Sequence, residues 1–256
     1  MASIPHSQRL TRRALLCATL GALAVVPAAR ADWLSKGKDA LDSMTGGDGG
    51  TGGLSGNEIT KGLKSALRVA SERVVERVGQ QGGYLADPDI HIPLPGYLAQ
   101  ARSVLRTVGA AGLLTDLETQ LNRAAETAAP EAQRIFVDSI SAMTLEDARG
   151  ILNGPDDAAT QYFRKTMTPE LRDTFRPVVE RHLADTGAMR TLDRTLQSYE
   201  QVPFASAIKG NAQGRLVDHG LDGALSGIFH YMAKEEAAIR QNPAKRSTDL
   251  LKRVFG

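Results

Sequence analysis

From Asn57 onward, apolar side chains return every three or four residues. Ile59, Leu63, Leu67, Ala70, Val74 and Val78 form the first such run. That spacing lines one face of an α-helix, and Asn57 is placed to cap its start. Gly82-Gly83 stops the run. Between Tyr84 and Pro95 the period changes: Ile90, Ile92 and Leu94 alternate. Alternation suits a strand, but Pro93 and Pro95 remove the donors a full ladder needs. An extended, Pro-rich strap lying on a helical body is therefore expected there. Helical spacing resumes with Leu98, Ala101, Val104, Leu105 and Val108, breaks at Gly109 to Gly112, and returns with Leu114, Leu117, Leu121, Ala124 and Ala128.

Punctuation residues divide the rest. Pro130 suits a helix first turn and opens a run with Ile135, Phe136, Ile140 and Met143. Thr144 to Asp147 reads as a capping arrangement for a short helix ending at Asn153-Gly154. Pro155-Asp156-Asp157 begins the next, placing both aspartates in its first turn, with Ala159, Tyr162 and Phe163 inward. Thr168-Pro169-Glu170 is expected to begin another helix, bent or broken at Pro177. Leu192, Leu196 and Tyr199 mark one more, and a long helix carries Leu221, Leu225, Phe229, Met232 and Ile239 up to Pro243. Ser247 or Thr248 can cap a last short helix. The pattern predicts about eight to ten helices and no βαβ alternation. The fold expected over residues 57–256 is all-α, a single multi-helix domain that buries roughly 70% of its unfolded surface.

The N-terminus follows different rules. Arg9, Arg12 and Arg13 precede an apolar run from Ala14 to Val26, which ends in Pro27 and then Ala29-Arg30-Ala31. The run is about half the length needed to span a bilayer, and the A-x-A pattern marks a signal-peptide cleavage site between Ala31 and Asp32. Residues 1–31 are expected to be a secretory leader. Arg12-Arg13 ahead of the apolar run resembles the twin-arginine export signal. Residues before Cys17 are a poor match to a lipoprotein signal. Residues 32–56 then form a short segment followed by a flexible linker. Trp33, Leu34, Leu41 and Met44 fall near one side of a short helix. It is expected to dock back or fray, with membrane contact through Trp33 as the other reading. Gly46 to Gly56 is the linker by composition. It contains Gly47-x-Gly49-x-x-Gly52, but no strand precedes those glycines, so a dinucleotide site is rejected.

Composition sharpens this once the leader is set aside. The 256-residue chain carries 31 basic and 29 acidic residues and one cysteine. Removing residues 1–31 takes four arginines, no acid and Cys17. The remainder has 27 basic and 29 acidic residues, a net charge of −2, and no cysteine. That balance does not support a nucleic-acid surface, and thiol chemistry drops out. Aromatics make up 5%, too sparse for a repeated stacking platform. No G-x-S-x-G elbow, H-E-x-x-H pair or phosphate loop occurs. No cofactor is expected.

The remaining candidates are polar clusters. Asn153, Asp156 and Asp157 gather oxygens that suit a hard cation or a polar ligand. First-turn acids also simply complement a helix dipole. Asn122, Arg123 and Glu126 lie on an alanine-rich helix, with Asn122 and Glu126 i,i+4 neighbours on one face. They line a pocket, or they form a helix surface or a structural ion pair. His219 and His230 share a helix face but stand about 16 Å apart along it, too far for one zinc ion. Gly220, Gly223 and Gly227 would let another helix approach closely. Glu235 and Glu236 are expected to be exposed near a helix end, the other reading being one turned inward to pair with an arginine.

Several stretches together resemble a bacterial family, the domain of unknown function 4197 (DUF4197) family. They are Ile90 to Pro95, Leu121 to Glu131, Ile151 to Phe163, Phe175 to Pro177, and Asn242-Pro243 with Thr248 to Gly256. The resemblance runs from about Ser55 to the C-terminus and implies an exported, largely helical domain. It brings no catalytic residues. Missing catalytic motifs and a helical scaffold favour a non-enzymatic periplasmic protein that binds a small molecule, a lipid or an envelope protein. The alternatives are a hydrolase using Glu126, Asp156, Asp157 or Glu235, and an envelope-structural role through the Trp33 segment.

Overall fold

The computed structural model describes residues 56–99, 106, 111–198 and 211–241. Seven α-helices lie among them: α1 (Gly56–Gly79), α2 (Ala111–Ala128), α3 (Ala132–Ala142), α4 (Leu145–Leu152), α5 (Ala158–Asp185), α6 (Ala188–Ser198) and α7 (Ala212–Gln241). A 3₁₀ turn, Ala129–Glu131, carries Pro130 and joins α2 to α3. No strand occurs among the described residues, and the all-α expectation holds. The leader, with Arg12, Arg13, Ala31 and Asp32, lies outside the described residues. So do the Trp33 segment, the Gly-rich linker to Ser55, Tyr199 and the expected last helix.

The long helices α5 and α7 pack on each other and on α2, and α1 and α3 flank them. Each helix buries the stripe its periodicity announced. In α5 the buried series includes Phe163, Met167, Leu171, Phe175, Val179 and Leu183, each four residues from the last. That regularity explains one correction. The expected break between two helices at Thr168-Pro169 does not occur, nor does one at Pro177: both prolines sit inside a single 28-residue helix. A proline inside a helix frees the carbonyl four residues earlier. Here Pro169, Pro177, Lys165 and Asp173 are all exposed, so the freed carbonyls of Lys165 and Asp173 have water for a partner while the buried face continues.

Helix ends follow local chemistry. Thr144 caps α4 with a full capping box: its Oγ1 accepts from the Asp147 N–H at 3.1 Å, and the Asp147 carboxylate accepts from the Thr144 N–H at 2.8 Å. Those bonds to Thr144 hold the Asp147 carboxyl below the usual carboxylate range. α1 begins at Gly56, so Asn57 lies inside it rather than capping it. α5 begins at Ala158, so Asp156 and Asp157 precede the helix instead of filling its first turn.

Between α1 and α2 the chain passes through turns over 81–86 and 88–90, and then irregular backbone over 91–95. Tyr84, Ile90, Ile92 and Leu94 from this segment are buried. Two glycines of α7 make room for it. A Cβ on Gly227 would stand 2.5 Å from the Tyr84 ring, and one on Gly223 would stand 2.8 Å from Ile92. The approaching element at these two positions is the irregular segment, not the helix expected. Only Gly220 faces a helix, through Leu121 of α2.

Candidate functional site

Where the irregular segment meets α2, Asn122 and Glu126 do the holding. Both are buried, one helical turn apart. Glu126 Oε1 accepts from the Tyr84 and Leu85 N–H groups at 3.1 and 3.0 Å. Asn122 Oδ1 accepts from the Ile92 N–H at 2.8 Å, while its Nδ2 donates to the Ile92 carbonyl at 2.8 Å and to the Glu118 carbonyl at 2.9 Å. One side-chain amide thus does for Ile92 what a neighbouring strand would have done, which is why the alternating segment needs no strand partner. Arg123 stands half-exposed, with Nη1 3.7 Å from Glu126 Oε2. The polar face expected on α2 therefore exists, and its capacity is engaged by backbone.

The same segment is also tied to α1 and α7. The Tyr84 hydroxyl donates to the Ala224 carbonyl at 2.6 Å. Burial first, and the Glu126 charge second, push that hydroxyl far above the ordinary tyrosine range. The Tyr231 hydroxyl donates to Asp87 at 2.5 Å and receives a bond from Arg77 at 2.9 Å. Burial alone would raise the Asp87 carboxyl; the bonds from Tyr231, the Asp89 N–H and Arg77 outweigh it and hold it low. His219 Nε2 lies 2.7 Å from the Pro93 carbonyl, and His91 bridges Leu85 and Glu118.

A second buried carboxylate was expected to be exposed. Glu236 of α7 is only 4% exposed. Its Oε1 accepts from the Ala159 N–H at 2.8 Å, and its Oε2 accepts from the Thr160 N–H and hydroxyl, both at 2.9 Å. Arg240, one turn on, pairs with Glu236 at 2.9 Å and donates to the Ile151 carbonyl at 2.7 Å. The pair thus neutralises the first donors of α5 and a last acceptor of α4 together, where the two helix ends meet. Asp157, at the N-cap position, makes no capping bond of its own, because Glu236 already occupies those donors.

Two open clefts lie along α7. A cleft of about 170 Å³ separates residues 89–93 from His219, Ser226 and His230. A wider groove of about 510 Å³ adjoins it, lined by Asp156, Asp157, Arg164, Phe229, His230 and Lys234. Ser226 and His230 line both. His230 Nε2 is buried without a hydrogen-bond partner and stands 3.8 Å from Asp89 Oδ2. Asp89 itself takes a bond from Lys234 at 2.6 Å, which with the lysine charge holds its carboxyl low. A third groove, about 540 Å³, runs between α4 and α5 past Gly150, Ile151, Tyr162 and Lys165.

Of the expected site residues, the structure brings Asp156 and Asp157 into the wide groove. Asn153 is the exposed C-cap of α4 and Glu235 pairs with Arg73 at 3.5 Å. Sequence reasoning missed Arg164, although it lies seven residues from Asp157 and so two turns along one helical face. It missed the stripe Ser226, His230, Ala233, Ala237 as a groove wall for the reason that only tertiary packing sets α7 opposite Asp156. Among the described residues no group of three or more His, Cys, Asp or Glu is arranged to hold a metal ion. No described helix is long and apolar enough to cross a membrane.

Comparison with curated proteins and with solved structures returned no match. Residues 53–256 match the family described as "Protein of unknown function (DUF4197)". That match takes in all seven helices, the clamped segment and both buried carboxylates, and the chain belongs to this family.

Proposed function

We propose that this chain is exported to the periplasm, loses residues 1–31, and works there as a non-enzymatic protein that binds a small polar molecule in the α5–α7 groove. The export reading rests on the charged start, the short apolar run and the Ala29-Arg30-Ala31 site. The binding reading is carried by one observation. The buried carboxylates Glu126 and Glu236 are engaged in holding backbone, while Asp156, Asp157, Arg164 and Lys234 line one open groove. That groove falls in the size range of small-molecule sites. Four charged side chains on its wall, Asp156, Asp157, Arg164 and Lys234, suit a hydrophilic ligand better than a lipid.

The hydrolase reading finds less support. General acid–base pairs need two carboxylates facing one reacting bond. Glu126 faces the Tyr84 backbone and Glu235 faces Arg73, which leaves only the neighbours Asp156 and Asp157 in the groove, each accepting from a glutamine amide.

The test is native mass spectrometry of the protein purified from the periplasmic fraction of a Gram-negative host expressing the full chain with its leader. An N-terminus at Asp32 and a non-covalent adduct that is lost on mild activation are expected. Uncleaved protein confined to the cytoplasm would overturn the export reading. Adduct-free protein whose melting temperature responds to no envelope metabolite would overturn the binding one.

A further inference from the structure

The charges around the α5–α7 groove are of both signs, yet they do not neutralise one another. Asp156 accepts from the Gln241 amide at 2.8 Å, and Asp157 accepts from the Gln161 amide at 2.8 Å. Those partners are neutral, and each carboxylate keeps lone pairs to spare. Lys234 is already paired with Asp89. Arg164 is exposed and lies over Phe229, its Cζ 4.8 Å from the ring centroid. Stacking uses the guanidinium face and leaves the N–H edge available, and Arg164 has no ion pair among the described residues. One groove therefore presents two carboxylates without a cation and a guanidinium without an anion.

The positions explain why they stay apart. Asp157 and Arg164 are about 10 Å apart along the α5 axis. The glutamines hold the carboxylates at one end, and Phe229 holds Arg164 at the other.

The geometry points to a zwitterion of the amino-acid class, carrying an ammonium and a carboxylate several ångströms apart, as the ligand of this groove. Its ammonium meets Asp156 and Asp157, and its carboxylate meets the Arg164 fork. A ligand with a single charge satisfies one end and leaves the other as it was. This inference rests on the binding reading above and names the ligand's chemistry. An ω-amino acid and a short peptide share that chemistry, differing in the polarity of the spacer.

Isothermal titration of the leader-free protein at low salt tests it, with glycine, 4-aminobutyrate, 6-aminohexanoate and triglycine as probes. Hexanoate and hexylammonium are the singly charged controls. At least one zwitterion is expected to bind about tenfold tighter than both controls, the size of one charge-assisted hydrogen bond. Whether 6-aminohexanoate or triglycine binds tighter tells the two sources apart. R164Q should bring the zwitterion down to the affinity of hexylammonium, and D156N/D157N down to that of hexanoate. Both changes are at solvent-facing positions and keep the glutamine bonds, so the melting temperature should stay near that of the parent. A control that binds as tightly as every zwitterion, or variants that bind the zwitterion unchanged, would overturn the inference. If native mass spectrometry finds a bound molecule of another chemistry and no zwitterion binds, the inference fails and the binding reading stands. If nothing binds at all, both fail.

Discussion

Replacing Glu236 by glutamine tests the account of how α4, α5 and α7 are joined. The change keeps the shape and removes the charge. In the native arrangement both carboxylate oxygens only accept: Oε1 from Ala159 N–H and Arg240, Oε2 from Thr160 N–H and hydroxyl. A glutamine must put its NH₂ on one of those sides, where it meets donors. Arg240, whose side chain is 9% exposed, then stays buried without its counter-charge. Removing one partner of a buried pair costs about 3–5 kcal/mol. For a domain of this size that is a fall of roughly 6–20 °C in melting temperature, at 2–4 °C per kcal/mol. R240M should cost less, about 1–3 kcal/mol, because Glu236 keeps the three donors at the start of α5 while Arg240 gives up its bond to Ile151. Urea unfolding followed by circular dichroism measures both, and amide exchange at Ala159 and Thr160 localises the effect. A loss under about 1 kcal/mol for E236Q, well below the range for a broken buried pair, would refute the reasoning. So would R240M proving the more damaging of the two.

Further outcomes follow from other elements. Gly227→Ala should destabilise by about 1–3 kcal/mol through overpacking, since its Cβ meets Tyr84 at 2.5 Å; a neutral result in the same urea assay would show that the ring has room to retreat. Pro169→Ala and Pro177→Ala should each be neutral or stabilising, because each restores an N–H to α5, and a lowered melting temperature would contradict a continuous helix. Stability should fall in acid in two stages. Burial keeps His182 below its ordinary value, so the unfolded chain takes up its proton first and stability declines as the pH drops below about 6.5. Asp87, Asp89 and Asp147 are held low, so their contribution is present above about pH 4 and is lost below it. Urea midpoints from pH 3 to 8 record both stages, and His182→Gln should remove the first alone; an unchanged slope between pH 5 and 7 would count against it.

The helices were legible because their signals are local. The Thr144 box and the apolar stripes of α1, α2 and α7 each lie within a few neighbouring residues. Pro169 and Pro177 misled because a proline's effect depends on whether the freed carbonyl faces water, and that is decided by packing. The polar residues show the same limit. Asn122 and Glu126 were readable as one face of α2, but their partners are 30 and 42 residues away. Glu236 reaches its partners across 76 and 77 residues. The groove charges Asp156, Asp157 and Arg164 were in plain sight, but α7 supplies the opposite wall from far along the chain.

The clamped segment between α1 and α2 bears on how the molecule assembles. A helix satisfies its own backbone as it forms, whatever the rest of the chain is doing. Tyr84, Leu85 and Ile92 have no such independence: their N–H groups wait for Glu126 and Asn122, which exist as a matched face only once α2 has wound. Tyr84 then needs α7 in place to receive its hydroxyl. The segment is thus a lashing tied after the beams are up. Exchange at those three amides would report the docking of α2 and α7 rather than the winding of either.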